Sequence, residues 1–298
     1  MSQKFCIACG AHSMHPHTHS GHPIAAAELL PGNMRVTDKA YGRCIEVLRC
    51  GECGLLQPAM PIDSSQMVAL YRDMDDNTYL QGADMRGRSN ARQVLQILRQ
   101  LRHPVRTALE VGAGSGFLVR ELRSSIDEVV GIEPSVSFCT WARENLQLDL
   151  VQGGFEDYPV ESRWDLVLAL DVIEHVTDPD LFMRALSRWL VPGGVALICT
   201  PDVGSLVART FGKKWWHIRP PHIFYFTRKA FGSLARRHGL DVVRTTGFSW
   251  TLGFGYLLES VLQLLFRRSP RWVTHLNFPV RVNTMDSALF VVRKPATP

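Results

Sequence analysis

From Thr107 onward, short apolar runs alternate with stretches whose apolar positions recur every three or four residues. The runs predict strands at Ala108–Val111, Val129–Glu133, a short one near Leu148–Gln152, then Trp164–Leu170, Val195–Thr200, Asp241–Thr245 and Ala288–Arg293. The periodic stretches predict helices at Phe117–Arg123, Val136–Asn145 and Asp180–Trp189, and one from an N-cap at Thr227 through Arg237 that stops at Gly239. Pro192-Gly193-Gly194 is expected to end the third of these helices. Such alternation predicts a mainly parallel, doubly wound α/β sheet. Two β-runs close the chain, which suggests one antiparallel strand at the sheet edge. Upstream, residues 61–103 read as mostly helical, with helical spacing at Met67–Tyr71 and Ala91–Leu101 around a polar, glycine-containing segment. Tyr71, Tyr79, Arg86 and Arg88 could reach a ligand from there, although solvated surface is the default expectation for each.

The first strand runs into Leu109-Glu-Val-Gly-Ala-Gly-Ser-Gly116, and Glu133 closes the second strand 17 residues after the last glycine. Gly112, Gly114 and Gly116 let the backbone turn tightly and approach a ligand where a Cβ would clash. A carboxylate at the end of the second strand can accept hydrogen bonds from two ribose hydroxyls. This order points to an adenosine-containing cofactor. In the dinucleotide fingerprint the third glycine comes one residue later, and an acid at Glu110 would repel a pyrophosphate. That acid suits the ammonium of an amino acid.

The pattern resembles the first motif of class I S-adenosylmethionine-dependent methyltransferases. The resemblance implies that Glu110, Gly112, Ala113, Gly114 and Gly116 hold the methionyl part of S-adenosylmethionine, and that Glu133 holds the ribose. Gly154-Phe155-Glu156-Asp157 is similar to the adenine-contacting segment, with Phe155 beside the ring and Glu156 near its exocyclic amine. It covers about residues 105–246 and 287–294, and implies a Rossmann-like sheet of seven strands with the last antiparallel.

Cys6-x-x-Cys9-Gly10 and Cys50-x-x-Cys53-Gly54 form two knuckles whose spacing lets four thiolates close on one structural zinc. Residues 35–49 could supply the hairpin strands between them. With this module the chain is similar to the zinc-ribbon branch of small-molecule and sugar methyltransferases. Cys44, Cys139 and Cys199 read as ordinary buried thiols. His12, His15, His17, His19 and His22 read as an exposed, mobile loop. The expected organisation is a zinc ribbon at 1–60, a helical cover of the cofactor cleft at 61–104, and a methyltransferase domain at 105–298.

Asp171-Val-Ile-Glu174-His175 follows directly from the fourth strand, where ligands of open α/β sheets bind. Asp171, Glu174 and His175 therefore stand at the methyl end of the cofactor. A hydroxyl acceptor needs a base, and a carboxylate can orient an imidazole and raise its basicity. His175 is the expected general base, with Glu174 assisting, as an adjacent Glu-His pair does in related sugar C-methyltransferases. The same cluster also resembles the divalent-metal segment of ubiquinone-type and small-RNA methyltransferases, with His222 as a further ligand. A helix-capping pair without chemistry is the third reading. In the aromatic run Trp215–Phe226, His222 or Tyr225 could hydrogen-bond an acceptor hydroxyl.

Residues 248–286 interrupt the last two strands. Leu257, Leu258, Val261, Leu262 and Leu265 share one helical face, with Glu259, Gln263 and Arg267 opposite. Arg268, Arg271, Arg281, Trp250, Phe266 and Trp272 surround it, which suits a membrane interface or an apolar acceptor as well as ordinary packing on the core or a second subunit. With 298 residues and a net charge of +5, the chain can bury a large core and has no long basic run, so nucleic acid is not the expected partner. No stretch reaches the ~20 apolar residues of a membrane span, and no apolar signal core opens the chain. The reading is a cytoplasmic enzyme, peripheral to the inner membrane face if the insertion binds lipid. It methylates a hydroxyl of a sugar, glycolipid or other small metabolite. C- or N-methylation, a protein or RNA acceptor docked by the ribbon, and a non-catalytic cofactor-fold protein remain as alternatives.

Overall fold

The computed structural model describes residues 5–17, 22–35, 41–80, 82–159, 163–266, 270 and 278–296. Its main sheet has seven strands: β1 (Thr107–Val111), β2 (Glu128–Glu133), β3 (Val151–Gln152), β4 (Trp164–Leu170), β5 (Leu190–Pro201), β6 (Asp241–Gly247) and β7 (Ser287–Arg293). Their order is β6-β7-β5-β4-β1-β2-β3. Strand β7 is antiparallel to both β5 and β6 and so lies inside the sheet, not at its edge as expected. Its sequence explains the placement: Ala288–Val292 is apolar throughout and buried, as a strand covered on both faces must be.

Alternation divides each central strand between two cores. Leu109, Val167, Ala169 and Ile198 face one side, while Ala108, Leu166, Leu168 and Leu197 face the other. The first side is covered by α5 (Pro179–Trp189), α6 (Arg228–Arg237) and the N-terminal module. The second is covered mainly by α2 (Ala83–Leu101) and α3 (Phe117–Leu122), with Cys139 and Ala142 of α4 (Val136–Leu146). Upstream lies α1 (Ser64–Arg72), capped by Asp63.

Two local expectations change. Helix α2 begins at Ala83 and runs through the glycine-containing segment. A Cβ at Gly87 would lie 2.6 Å from Phe117 Cβ, so this glycine lets α2 cross the start of α3 in close contact. Residues 190–194 do not form a separate turn but open β5, with a bulge between Leu190 and Val195. There Gly193 N donates to Lys294 O at 2.9 Å, and Lys294 N returns a bond to Gly194 O at 3.0 Å.

The N-terminal module contains a three-stranded sheet of Met14–His17, Val47–Cys50 and Leu56–Pro58. His15 and His17 thus sit in a paired strand and not in a mobile loop, because Met14–His17 runs antiparallel to Val47–Cys50. His19 lies outside the described residues. His22 opens a second short strand, paired with Arg43–Ile45.

In the 248–286 insertion, a two-stranded ribbon (Trp250–Gly253 with Pro279–Val282) carries α7 (Phe254–Phe266). The insertion docks on α2: Gln93 Nε2 donates to Ser249 O at 2.7 Å, and Ser249 N and Arg281 both donate to Gln93 Oε1 at 3.1 Å. Arg267, Arg268, Arg271 and Trp272 lie outside the described residues. Among the described residues no helix is long and apolar enough to cross a membrane.

Candidate active site

The turn after β1 is pinned by Gly112 N and Ala113 N, which both donate to Ile132 O at 2.9 Å. Gly112 has φ +71°, and a Cβ there would lie 2.8 Å from Val172 Cγ2, so glycine is required on two counts. Gly116 caps α3 at φ +78°, with Leu148 Cδ2 only 2.6 Å from the position of a Cβ. Glu133 braces the turn: its Oε2 accepts from Gly114 N at 2.7 Å and its Oε1 from Ser135 N at 2.8 Å. A carboxylate has about four lone-pair sites, so two remain after these amides. Burial pushes Glu133 up to about 7, against the pull of the two amides. Glu110 is 5% exposed, its Oε2 has no hydrogen-bond partner, and burial followed by repulsion from Glu133 raises it well above the usual carboxylate range. An incoming cationic group would relieve both penalties.

A cavity of about 660 Å³ begins at this turn. Phe155 lines it and packs edge-on to Phe182, with ring centroids 5.2 Å apart; Glu156 also faces it. Tyr79 and Arg86 line it too, Arg86 stacked over the Tyr79 ring at 4.4 Å. Those two residues and Tyr71 are therefore wall residues and not the solvated surface expected of them, because α1, α2 and the short helix Asn77–Leu80 between them fold over the cleft. Arg88 is exposed, as expected.

The middle of the cavity is formed by Asp171 and His175. Asp171 holds a left-handed backbone, φ +55°, uncommon for a residue with a side chain and found where structure is constrained by function. Burial raises Asp171 to about 7, while the charge of Arg219 opposes the rise. Glu174 is 1% exposed; Thr200 Oγ1 donates to its Oε2 at 2.9 Å, and its Oε1 has no partner. His175 Nε2 lies 4.0 Å from that Oε1. His175 Nδ1 lies 2.9 Å from Pro221 O and 2.8 Å from Tyr71 Oη. Burial, with the charge of Arg219, holds His175 down at about 3, the opposite of the rise expected from Glu174.

His222 and Tyr225 are each 1% exposed and stand behind the cavity wall. The His222 ring meets His175 edge-on at 4.8 Å, and Arg219 Nε donates to His222 Nε2 at 3.2 Å. Tyr225 exchanges two 3.0 Å main-chain bonds with Leu56 of the N-terminal module. Glu174 O accepts from Ile223 N and Phe224 N at 3.0 and 3.1 Å, which ties this loop to the acid–histidine cluster. Among the described residues, ligand atoms of Glu174, His175 and His222 lie within 4.8 Å of one another, and so do the thiols of Cys6, Cys9, Cys50 and Cys53. In the cysteine group the Cys6–Cys53 and Cys9–Cys50 sulfur pairs are 3.5 and 3.6 Å apart. A tetrahedral zinc with ~2.3 Å bonds to sulfur needs edges of about 3.8 Å, so the four thiols fit that ion.

Arg219 and His217 also line the cavity; the sequence marked their loop but gave neither a role. Asp286 was not marked at all. It is fully buried, accepts from Trp215 Nε1 at 2.7 Å and from Thr284 Oγ1, and sits 3.5 Å from His217 Nε2. No local signal announces it, since apart from the neighbouring Thr284 its partners Trp215 and His217 are about 70 residues away. The far end of the cavity is apolar, formed by Met67 and Val68 of α1 and by Trp250, Leu252 and Leu257 of the insertion. Glu259, expected on the opposite helix face, reaches the cavity as well.

A family described as methyltransferase domain matches residues 83–245, more than half of the chain. Ubiquinone biosynthesis O-methyltransferases are similar over part of the sequence. That of Nitrobacter winogradskyi is 30% identical over 112 residues, covering 36% of this chain and 39% of the relative. That of a Bradyrhizobium species is 30% identical over 128 residues, covering 41% and 49%. The chain thus spans less than half the length of these relatives. Among solved structures, a chain from the complex of the Haloferax volcanii Trm112 methyltransferase activator with a methyltransferase matches at TM-score 0.53 and 19% identity, over 76% of this chain and 99% of that one. An S-adenosylmethionine-dependent methyltransferase from Clostridium acetobutylicum matches at TM-score 0.50 and 8% identity, over 71% and 92%. These two show the fold. The chain belongs to the methyltransferase-domain family.

Proposed function

We propose that the protein transfers the methyl group of S-adenosylmethionine to a hydroxyl of a small metabolite with an apolar portion, such as a glycolipid, a lipid-linked sugar or a hydrophobic phenol. One observation carries this reading: a single cavity joins the glycine turn, then Asp171 and His175, then an apolar wall built from α1 and the insertion. The cofactor's methionyl part lies along Glu110 and residues 112–116, its ribose at Glu133 and its adenine near Phe155 and Glu156. The two lone-pair sites left on Glu133 match two ribose hydroxyls. Asp171 borders the methyl end.

His175 is the proposed general base. Pro221 O can only accept, so Nδ1 carries the hydrogen and Nε2 keeps its lone pair. The depressed pKa keeps the ring neutral and able to accept a proton, although it weakens the base. As the acceptor oxygen attacks the methyl carbon, the S–CH3 bond breaks and the acceptor's proton passes to Nε2. The thioether leaves without needing a proton, so alignment supplies most of the acceleration.

A second reading is favoured by the unpartnered buried atoms Asp171 Oδ1, Glu174 Oε1 and His222 Nδ1. Of these, Glu174 and His222 group with His175 and would hold a divalent cation, which would lower the pKa of the acceptor hydroxyl, whereas Asp171 lies outside that group. Arg219 opposes this reading, since its charge already sits against His222. Cys6, Cys9, Cys50 and Cys53 would hold a structural zinc in a ribbon over residues 1–60, and residues 61–104 form the cover of the cleft. A peripheral membrane contact through 248–286 in the cytoplasm would deliver a lipid-linked acceptor; nucleic acid is not a proposed partner, because the chain has a net charge of only +5 and no long basic run.

The test is methyl transfer from labelled S-adenosylmethionine to catechol, nucleotide-sugar and lipid-linked saccharide acceptors, with and without added Mg2+ or Mn2+. Label on an ether oxygen supports the reading, whereas label only on carbon, nitrogen, RNA or protein refutes it. A rate that His175→Asn abolishes but added cation does not change favours the base; strict cation dependence favours the metal.

A further inference from the structure

We propose that Arg219 is a specificity-determining residue that binds an anionic group of the acceptor, a carboxylate or a phosphate, beside the hydroxyl to be methylated. This rests on the reading of the cavity as a methyl-transfer site and narrows its substrate to an anionic amphiphile.

The cavity holds few cations. Among the described residues its lining includes two arginines, Arg86 and Arg219, and no lysine. Arg86 belongs to the cofactor end. Its guanidinium lies 4.4 Å from the centre of the Tyr79 ring, and the Tyr79 hydroxyl stands 3.2 Å from where a Cβ on Gly114 would be. Arg219 belongs to the other end. Its Nε donates to His222 Nε2 at 3.2 Å, and the His222 ring meets His175 edge-on at 4.8 Å. Its charge is felt at Asp171, His175 and His217, all of which line the cavity. A fixed positive charge therefore stands beside the residues that would receive the acceptor hydroxyl.

Guanidinium chemistry selects the ligand. The group keeps its charge at every working pH, and its planar fork of five N–H groups matches the oxygens of a carboxylate or a phosphate. The bond to His222 uses one of the five and holds the side chain in place. Arg219 is half-buried, and the same cavity continues into the apolar wall of Met67, Val68, Leu252 and Leu257. Away from bulk water an ion pair is screened less, so an oxyanion brought by the ligand gains more here than on the surface. One cavity thus offers a place for a hydroxyl, a cation and an apolar wall. An acceptor with a hydroxyl, an oxyanion and a hydrocarbon portion uses all three. A hydroxylated lipid or aromatic acid has this make-up, and so does a lipid-linked sugar phosphate. A neutral phenol or glycolipid makes no use of the charge.

Binding to the protein saturated with S-adenosylhomocysteine tests the proposal without any methyl transfer. The probes are decanoate and decyl phosphate, each titrated calorimetrically against its neutral counterpart, decanamide or decanol. At least one anion should bind about tenfold more tightly than its counterpart, the factor expected of one charge-assisted hydrogen bond. A larger preference for decanoate points to a carboxylated acceptor, and one for decyl phosphate to a phosphate-linked acceptor. Arg219→Gln should abolish the preference and Arg219→Lys should keep part of it, with S-adenosylhomocysteine affinity unchanged in both. Equal binding of anions and neutral probes by the wild-type protein overturns the proposal, and so does a preference that survives in Arg219→Gln. Weakened S-adenosylhomocysteine binding in variants that unfold at the wild-type temperature gives Arg219 to the cofactor, which also overturns it. An anion preference without any methylated hydroxyl in the acceptor screen defeats only the O-methylation reading, and methylated hydroxyls without an anion preference defeat only the role of Arg219.

Discussion

Glu133 allows a quantitative check on the cofactor end of the site. Its carboxyl is buried, is braced by Gly114 N and Ser135 N, and is raised from the usual 4.5 to about 7. A carboxyl whose folded pKa lies above its unfolded value binds its proton more tightly when folded. Its contribution to stability is therefore present below the unfolded pKa and is lost as pH rises through about 7. At ~1.4 kcal/mol per unit, the loss between pH 5 and pH 8 is about 2.5 kcal/mol in the ligand-free protein. Glu133→Gln removes the titration but sets an amide hydrogen against a main-chain N–H, at a cost of about 1–3 kcal/mol that does not vary with pH. Urea unfolding of both proteins at several pH values should give a stability difference that shifts by about 2.5 kcal/mol in favour of the variant from pH 5 to pH 8. The ribose contact would need the ionised form, so S-adenosylhomocysteine should bind about tenfold more tightly at pH 8 than at pH 6, and the variant should lose this component. Parallel stability curves for the two proteins would refute the buried titration. A binding slope unchanged in Glu133→Gln would refute the ribose assignment.

Other perturbations probe separate parts of the molecule. Gly116→Ala forces a side chain into φ +78° and against Leu148, so it should cost about 2 kcal/mol in urea unfolding and weaken cofactor binding; an unaffected variant would contradict the packing. Trp215→Phe takes one of the donors from the buried Asp286 carboxylate while keeping most of the ring, and should destabilise the protein by about 1–3 kcal/mol. One zinc per chain is expected by metal analysis, and its removal with a mercurial should lower kcat more than cofactor affinity; undiminished kcat would disprove the link between ribbon and acceptor loop. Flotation with anionic liposomes should carry the protein upward if 248–286 meets a membrane, and absence of co-migration would end that part of the reading.

Much of the fold was legible because its signals are local. The apolar runs of β1, β2, β4 and β7 state their own burial, and Thr227 and Gly239 bracket a helix by capping chemistry alone. The glycine turn and Glu133 were legible for the same reason, being within about twenty residues of one another. Placement within the sheet was not. That β7 enters between β5 and β6 depends on pairing partners that no local pattern specifies. The bulge at Leu190–Val195 was likewise hidden, because Pro192-Gly193-Gly194 has the composition of a turn and only pairing with the chain after β7 makes it part of a strand. Tyr71, Tyr79 and Arg86 looked like surface because the helices bearing them are polar, and only their folding over the cleft turns them inward.

The same distinction explains how the proposed acceptor end is assembled. The proposed cofactor end is a continuous motif on β1, β2 and the turn between them, so its geometry is set by the sheet itself. The proposed acceptor end joins three segments that are far apart in sequence. Glu174 O holds Ile223 N and Phe224 N, Tyr225 pairs with Leu56, and Thr227 Oγ1 donates to Cys53 O at 2.6 Å. Lys229 Nζ donates to Glu52 O at 2.6 Å, and Arg237 bonds Ile7 O. Each of these bonds is worth only about 1 kcal/mol on its own, so none of them fixes the loop alone. Their joint effect is to place the four-cysteine module one strand away from the loop that supplies Pro221, Arg219 and His222. A ligand set closed around zinc would hold that module as a rigid unit, because a structural zinc contributes folding energy directly. The bound ion would then set the position of Pro221 O, and through it the His175 tautomer on which proton removal depends.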